Sequence, residues 1–282
     1  MYISRARLIP NPELHQKRKS ETLRWLSEVS YTALKADFLS RWCEGTGQWI
    51  LVHPTFQTWI NGENPTLFCT GIPGAGKTMA SSVIIQHLVS RYANDNVMVA
   101  FLYCNYTMRS KQIADDLLAA LLRQFAERAG ELHHSIKSLD EKCERKRRPT
   151  REELVEALSS VVESFDRTFV VVDGLNECPQ WDDDIRGGLV GTIRHLQERA
   201  PVSFLATSRD IPIILEEFQN DVTLEITARK EDVTKCLESR KDMPRMVKKN
   251  VDLQLKVVKD IANAVDGMYV LRNYIYVSRE AL

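Results

Sequence analysis

The sequence predicts an α/β fold in three layers: a five-stranded, mainly parallel sheet between helices, with a helical segment before it and a small helical subdomain after it. Three observations carry this expectation. Short apolar runs of strand length recur through the middle of the chain: TLFCT (66–70), VMVAFLYC (97–104), FVVVD (169–173), VSFLATS (202–208) and VTLEIT (222–227). Stretches with helical spacing separate them. The run at 97–104 is apolar throughout, as in a strand buried on both faces.

Taken in order, residues 20–42 read as helical and end at the turn Gly45-Thr46-Gly47. Trp25, Trp42, Trp49 and Trp59 concentrate in this part and are expected to anchor packing through their large apolar area. After the first strand, Ile84, Ile85, Leu88 and Tyr92 mark a helix, and after the second, Ile113, Leu117, Leu118, Leu121, Leu122 and Phe125 mark the most amphipathic one. Residues 129–149 read as a polar, basic stretch. Thr150 and Glu153 then form a capping box for a helix through Leu154, Leu158, Val161, Val162 and Phe165. Ile185, Leu189, Val190, Ile193 and Leu196 lie on one further helix, and Val247, Val251, Leu255, Val258 and Val265 on a stripe near the end. The expected division is a helical linker segment at 1–60, the sheet domain at 61–228 and a helical subdomain at 229–282.

Composition sets limits on partners. Of 282 residues, 44% are apolar and 27% charged, the proportions of a globular protein. Lys plus Arg equals Asp plus Glu at 38 each, so no global field draws the chain to nucleic acid or an anionic membrane. Cys43, Cys69, Cys104, Cys143, Cys178 and Cys236 show neither a C-x-x-C pair nor zinc spacing with histidine, which predicts free thiols in a reduced, cytoplasmic setting. No stretch has the length of a membrane span. The cluster KCERKRRPTR (142–151) has no interleaved aromatics for base stacking and reads as a solvated loop, and His133-His134 reads as surface.

The strongest signal is the loop Gly71-Ile72-Pro73-Gly74-Ala75-Gly76-Lys77-Thr78, a G-x-x-x-x-G-K-[ST] pattern between a strand and a helix. Its glycines let backbone N–H groups turn inward on phosphate oxygens, and the following helix aims its positive end at the same anion. Lys77 is expected to reach the β- and γ-phosphates of ATP, or the β-phosphate of ADP, and the Thr78 hydroxyl to ligate Mg²⁺. A bare match arises by chance in roughly one per cent of chains this long; the flanking strand and helix lower that further. The fold class becomes a P-loop NTPase three-layer fold.

FVVVDGLNE (169–177) reads as a second phosphate-site element. Ligands gather at the carboxyl ends of parallel strands, so Asp173 is expected beside the loop as a Mg²⁺-side acid, with Glu177 as a base for an attacking water. Arg209, after the fourth strand, is expected to sense the γ-phosphate. The plain alternatives are an Asp-Gly turn and a surface arginine. No N-K-x-D element that reads guanine follows the fifth strand, which favours ATP.

These residues resemble the NACHT modules of STAND-class NTPases, in particular the fungal type also called nephrocystin-3-like N-terminal domains, which precede ankyrin or WD40 repeats and occur in vegetative-incompatibility proteins. The resemblance runs through RWLS (24–27), GTGQWIL (45–51), Phe56, Trp59, GIPGAGKT (71–78), FLYCNY (101–106), VVDGLNEC (171–178), LATSR (205–209) and AVDGMYVL (264–271). It implies a switch that rests with ADP, exchanges it for ATP and self-associates to signal to attached repeat or effector domains. It assigns Lys77 and Thr78 to Walker A, Asp173 to Walker B, Glu177 to hydrolysis and Arg209 to sensing. Asn176 stands where the family usually has a second aspartate, and the lost charge beside Mg²⁺ argues for slow or absent hydrolysis. The alternatives are an active ATPase and a scaffold that no longer cycles; a phosphotransferase would need an acceptor site, for which no signature is found.

Overall fold

A computed structural model describes residues 12–63, 65–128, 131–178 and 184–238, with the isolated positions 256 and 260. The stripe from Val247 to Val265, the AVDGMYVL segment and most of the expected subdomain at 229–282 therefore lie outside the described residues.

The chain opens with α1 (Pro12–Leu26) and α2 (Tyr31–Ser40), the second started by Ser30, whose hydroxyl accepts the Ala33 N–H. Two short helices follow, α3 (Gln48–Leu51) and α4 (Pro54–Ile60). Next come β1 (Thr66–Thr70), α5 (Lys77–Arg91), β2 (Val97–Tyr103), α6 (Ala114–Arg128), α7 (His134–Cys143), α8 (Arg151–Val162) and β3 (Arg167–Asp173). The described chain closes with α9 (Gly191–Arg199), β4 (Val202–Ser208), α10 (Pro212–Glu217), β5 (Val222–Glu225) and α11 (Lys230–Glu238).

The strands form one sheet in the order β2-β3-β4-β1-β5, and every neighbouring pair is parallel. The chain leaves β1 toward one edge and later returns past it to β5, so β1 sits at the point where strand order reverses. Right-handed crossovers then place α5 on one face and α6, α8 and α9 on the other. Their contacts agree: α5 packs with α2 and α3, while α6 packs with α8 and α8 with α9. The α/β three-layer class read from the sequence is the fold observed.

The N-terminal helices belong to the core. Phe56 and Trp59 are fully buried, and the Trp59 indole Nε1–H donates to the Phe204 carbonyl of β4 at 3.0 Å. The Arg167 guanidinium, at the start of β3, donates to the carbonyls of Ile60 at 2.6 Å and Trp59 at 3.1 Å. Of the other tryptophans, Trp25 bonds the Arg147 carbonyl and Trp42 the Thr46 carbonyl.

Four expectations need correction. The polar stretch 129–149 contains α7, whose Ile136, Leu139, Asp140 and Cys143 are buried; four inward positions in ten residues were too few to stand out among charges. Ile113 lies before α6 and is exposed. The helix expected through Ile185–Leu196 is a wider π-helical turn, Asp184–Val190, followed by α9, though all five apolar residues are buried as expected. The wider turn brings Gly188 so close to α6 that a Cβ would lie 2.7 Å from that of Ala114. Finally, the cysteines are not all free. Cys43 and Cys236, 193 positions apart, form a disulfide with Cα atoms 5.4 Å apart, whereas Cys69, Cys104, Cys143 and Cys178 are buried free thiols. Chain spacing carries no sign of a pairing made across so many residues.

The basic cluster is largely neutralised. Arg147 pairs with Glu153 at 2.7 Å, Arg151 with Asp115 at 2.6 Å, Arg148 with Asp116 and Arg145 with Glu21. Glu153 also completes the capping box with Thr150. No described helix is long and apolar enough to cross a membrane.

Candidate functional site

Lys77, Thr78, Asp173, Glu177 and Arg209, dispersed over more than a hundred positions, converge on one cavity at the carboxyl end of the sheet. The loop from Gly71 to Gly76 leaves β1 and turns into α5 through two glycines in left-handed conformations, Gly74 (φ 79°) and Gly76 (φ 91°). Gly71 and Ala75 are buried, while Ile72, Pro73 and Gly74 face outward. The Lys77 ammonium donates to the carbonyls of Gly71 at 2.6 Å and Ile72 at 2.9 Å, so the lysine lies back along its own loop. Partial burial lowers its pKa, and the nearby Asp173 carboxylate opposes that shift.

Gly71 is required for another reason. A Cβ there would stand 2.5 Å from the Ile226 backbone carbonyl, which continues the ladder beyond β5. Gly71→Ala is expected to force β5 off β1 and destabilise the protein by roughly 1–3 kcal/mol, as overpacking does. Thermal denaturation tests this; an unchanged midpoint would show that the junction yields without cost.

Asp173 ends β3, in register with Tyr103 of β2, and is buried. Its Oδ1 accepts the hydroxyls of Ser81 at 2.8 Å and Thr207 at 2.7 Å, and the Thr78 hydroxyl bonds the same carboxylate. Burial raises its pKa above the ordinary carboxylate value; these hydroxyls and the Lys77 charge act in the opposite direction. Thr207 also accepts the Gly174 N–H at 2.9 Å, fixing the turn that follows. A hydroxyl and a carboxylate side by side are hard oxygen donors, the kind that suits Mg²⁺, which takes only one or two protein oxygens and fills its shell from water and phosphate. Among the described residues no group of three or more His, Cys, Asp or Glu forms a metal cage. Thr78 and Asp173 fit the ion expected of them.

Glu177 closes a 3₁₀ turn, Leu175–Glu177, entered through Gly174 in a left-handed conformation. Its half-buried carboxylate accepts the Tyr106 N–H; burial, then the Asp173 charge, raises its pKa, and Arg209 lowers it. Arg209 follows β4 and is exposed at the cavity rim. Its backbone N–H donates to the Asn176 side-chain oxygen at 3.0 Å. Asn176 thus ties the turn after β3 to the end of β4.

The cavity measures about 540 Å³, within the range of small-molecule sites. Its floor is the loop with Lys77 and Thr78; Trp49, Gly47 and Cys43 line it from the N-terminal segment, and Thr227 and Cys236 from the residues after β5. Sequence reading missed Ser81, Thr207, Trp49 and this outer wall. Ser81 was accessible to it, one helical turn after Thr78. Thr207 was marked only by its place near a strand end. Trp49, read as a packing anchor, borders the cavity under the Arg229 guanidinium, 4.1 Å from its ring.

A family model described as Nephrocystin 3, N-terminal matches residues 45–209, more than half of the chain. No curated protein matches it. Among solved structures, the Walker-type ATPase of Pyrococcus abyssi is 12% identical over 76% of this chain and 62% of its own, with a TM-score of 0.45. The Aeropyrum pernix ORC1 protein, solved in complex with DNA, is 18% identical over 80% of this chain and 62% of its own, also at 0.45. PCH-2 of C. elegans is 16% identical over 93% of this chain and 60% of its own, at 0.38. This chain thus spans about three fifths of the length of each.

Proposed function

The chain belongs to the nephrocystin 3 N-terminal family, and from that premise we propose that it is an ATP/ADP-binding switch of the STAND type, with a NACHT-like nucleotide domain at 61–228. One observation carries the reading: Lys77, Thr78 and Asp173 meet at the floor of a cavity whose rim holds Glu177 and Arg209. Loop amides and Lys77 hold the phosphates. Thr78 and Asp173 hold Mg²⁺, which neutralises phosphate charge when bound. Arg209 reads the terminal phosphate, and through Asn176 its position is tied to that of Glu177.

The switch reading joins nucleotide state to self-association and, in a longer protein, to repeat or effector domains. Asn176 brings no negative charge next to Asp173, and its oxygen is already engaged by Arg209 N–H; both favour slow or absent hydrolysis. The balanced charge argues against a nucleic-acid partner. The proposed setting is cytoplasmic on the strength of the four free, buried thiols, with the Cys43–Cys236 disulfide an exception for such a compartment. In sedimentation, ATP is expected to shift the wild type to a larger species and to leave Lys77→Ala unshifted. Identical wild-type sedimentation with ATP, with ADP and without nucleotide would sink the switch.

A second reading, an active ATPase, rests on Glu177, which burial and a backbone N–H hold beside the Walker acid. It predicts steady phosphate release that Glu177→Gln lowers by at least about 100-fold, the usual contribution of a positioned base. Release unaffected by that change would remove Glu177 from the chemistry.

A further inference from the structure

α11, which gives Cys236 to the cavity lining, is covalently joined to the segment around the Gly45–Gly47 turn, which gives it Cys43. Cys236 of α11 is bonded to Cys43, just before the Gly45–Gly47 turn, and both line the same cavity as Lys77. Three further contacts run between α11 or the residue before it and residues 45–49. Asp232 Oδ2 accepts the Gly47 N–H at 2.9 Å, Lys235 Nζ donates to the Gly45 carbonyl at 3.3 Å, and Arg229 covers the Trp49 ring. The lysine contact is exposed, whereas Asp232, Val233 and Leu237 of α11 are buried. The covalent bond is the tie among these that a reductant can cut. Cys43 and Cys236 are also partly exposed, unlike the four buried thiols, so a soluble reductant can reach them.

We infer that Cys43–Cys236 is a reversible thiol–disulfide exchange site that latches the nucleotide cavity. With the bond formed, α11 stays on the 43–47 turn and the bound nucleoside phosphate is retained. With it broken, α11 separates from the turn and nucleotide exchanges. The co-reactant is a dithiol. One of its thiolates attacks a protein sulfur, forming a mixed disulfide and releasing the other protein sulfur as thiolate; its second thiol resolves the intermediate. The protein gains two electrons and two protons as two thiols, and the dithiol leaves as its own disulfide. The inference rests on the nucleotide-binding reading above.

The test loads the purified chain with a fluorescent ADP analogue and chases it with unlabelled ADP, with and without dithiothreitol. Dithiothreitol is expected to speed release from the wild type by about tenfold, since changes in affinity at one site fall mostly on dissociation. The Cys43→Ser/Cys236→Ser double variant should release rapidly whether or not reductant is present. A wild type that binds the analogue and releases it at one rate in both redox states overturns the latch and leaves nucleotide binding standing. A dithiothreitol effect that persists in the double variant also overturns it. If the double variant fails to fold, alkylation of the reduced wild type decides: label confined to Cys43 and Cys236 alongside faster release supports the latch, and label elsewhere overturns it. An analogue that binds in neither redox state overturns the nucleotide reading itself, and the latch with it.

Discussion

Lys77→Ala is expected to lose nucleotide affinity by about 10- to 150-fold, because a charge-assisted contact to phosphate is worth roughly 1.5–3 kcal/mol and the loop amides alone remain. The side chain sits at the start of α5, half-buried, and bonds only the carbonyls of its own loop. Its loss should leave the sheet intact, so the variant is expected to fold and show wild-type unfolding without ligand. The contrast appears on adding ATP and Mg²⁺: binding to the folded state alone adds about 2.7 kcal/mol at a hundred times the dissociation constant. That gain should be present in the wild type and about half as large or less in the variant. Isothermal titration and thermal melts measure the two sides independently. Wild-type affinity in Lys77→Ala would mean that the loop at 71–78 is not where phosphate sits.

Trp59→Ala is expected to cost about 3–5 kcal/mol, as for other large aromatic truncations in a core. Natural domains have roughly 5–15 kcal/mol in all, so the loss is a large part of the total and should lower the unfolding midpoint markedly. Three losses combine at this position. The indole leaves a cavity against Phe56 and Phe169, whose ring centroids lie 5.5 and 5.4 Å away. Its N–H no longer reaches the Phe204 carbonyl. The Arg167 guanidinium, 4.4 Å over Phe169 and bonded to the Trp59 carbonyl, then rests on a loosened α4. Urea unfolding provides the measurement, and Trp59→Phe separates the terms by keeping most of the packing while removing the N–H. A cost below about 1 kcal/mol for Trp59→Ala would put α4 outside the cooperative core.

What the sequence revealed followed from locality. β1 and β4 have the boundaries their apolar runs indicate, and β2 differs by one residue, because a buried parallel strand is a continuous apolar run ended by polar residues. The loop at 71–78 could be placed after β1 because its pattern is packed into eight consecutive positions, and Asp173 beside it because a residue ending a parallel strand emerges at the carboxyl edge of the sheet. What escaped was made of long-range partners. Thr207 reaches Asp173 from β4, and nothing local distinguishes it from other hydroxyls, whereas Ser81 on α5 was marked only by its spacing from Thr78. Asn176 looked like a lost acid, whereas its carbonyl holds the Arg209 backbone. α7 was hidden because its apolar positions are sparse among charges, and its burial depends on α8, which the helix packs against.

Phe56 and Trp59 lock α4 at the base of the sheet, where β3 and β4 begin, while Gly47 and Trp49, a few residues earlier, line the cavity at its opposite end. The segment from 47 to 60 is thus a strut with a fixed foot and a head at the ligand. Because α3 within it packs on α5, the strut is braced along its length as well as at its foot. Core packing at 56 and 59 therefore also sets where the cavity wall at 47 and 49 stands.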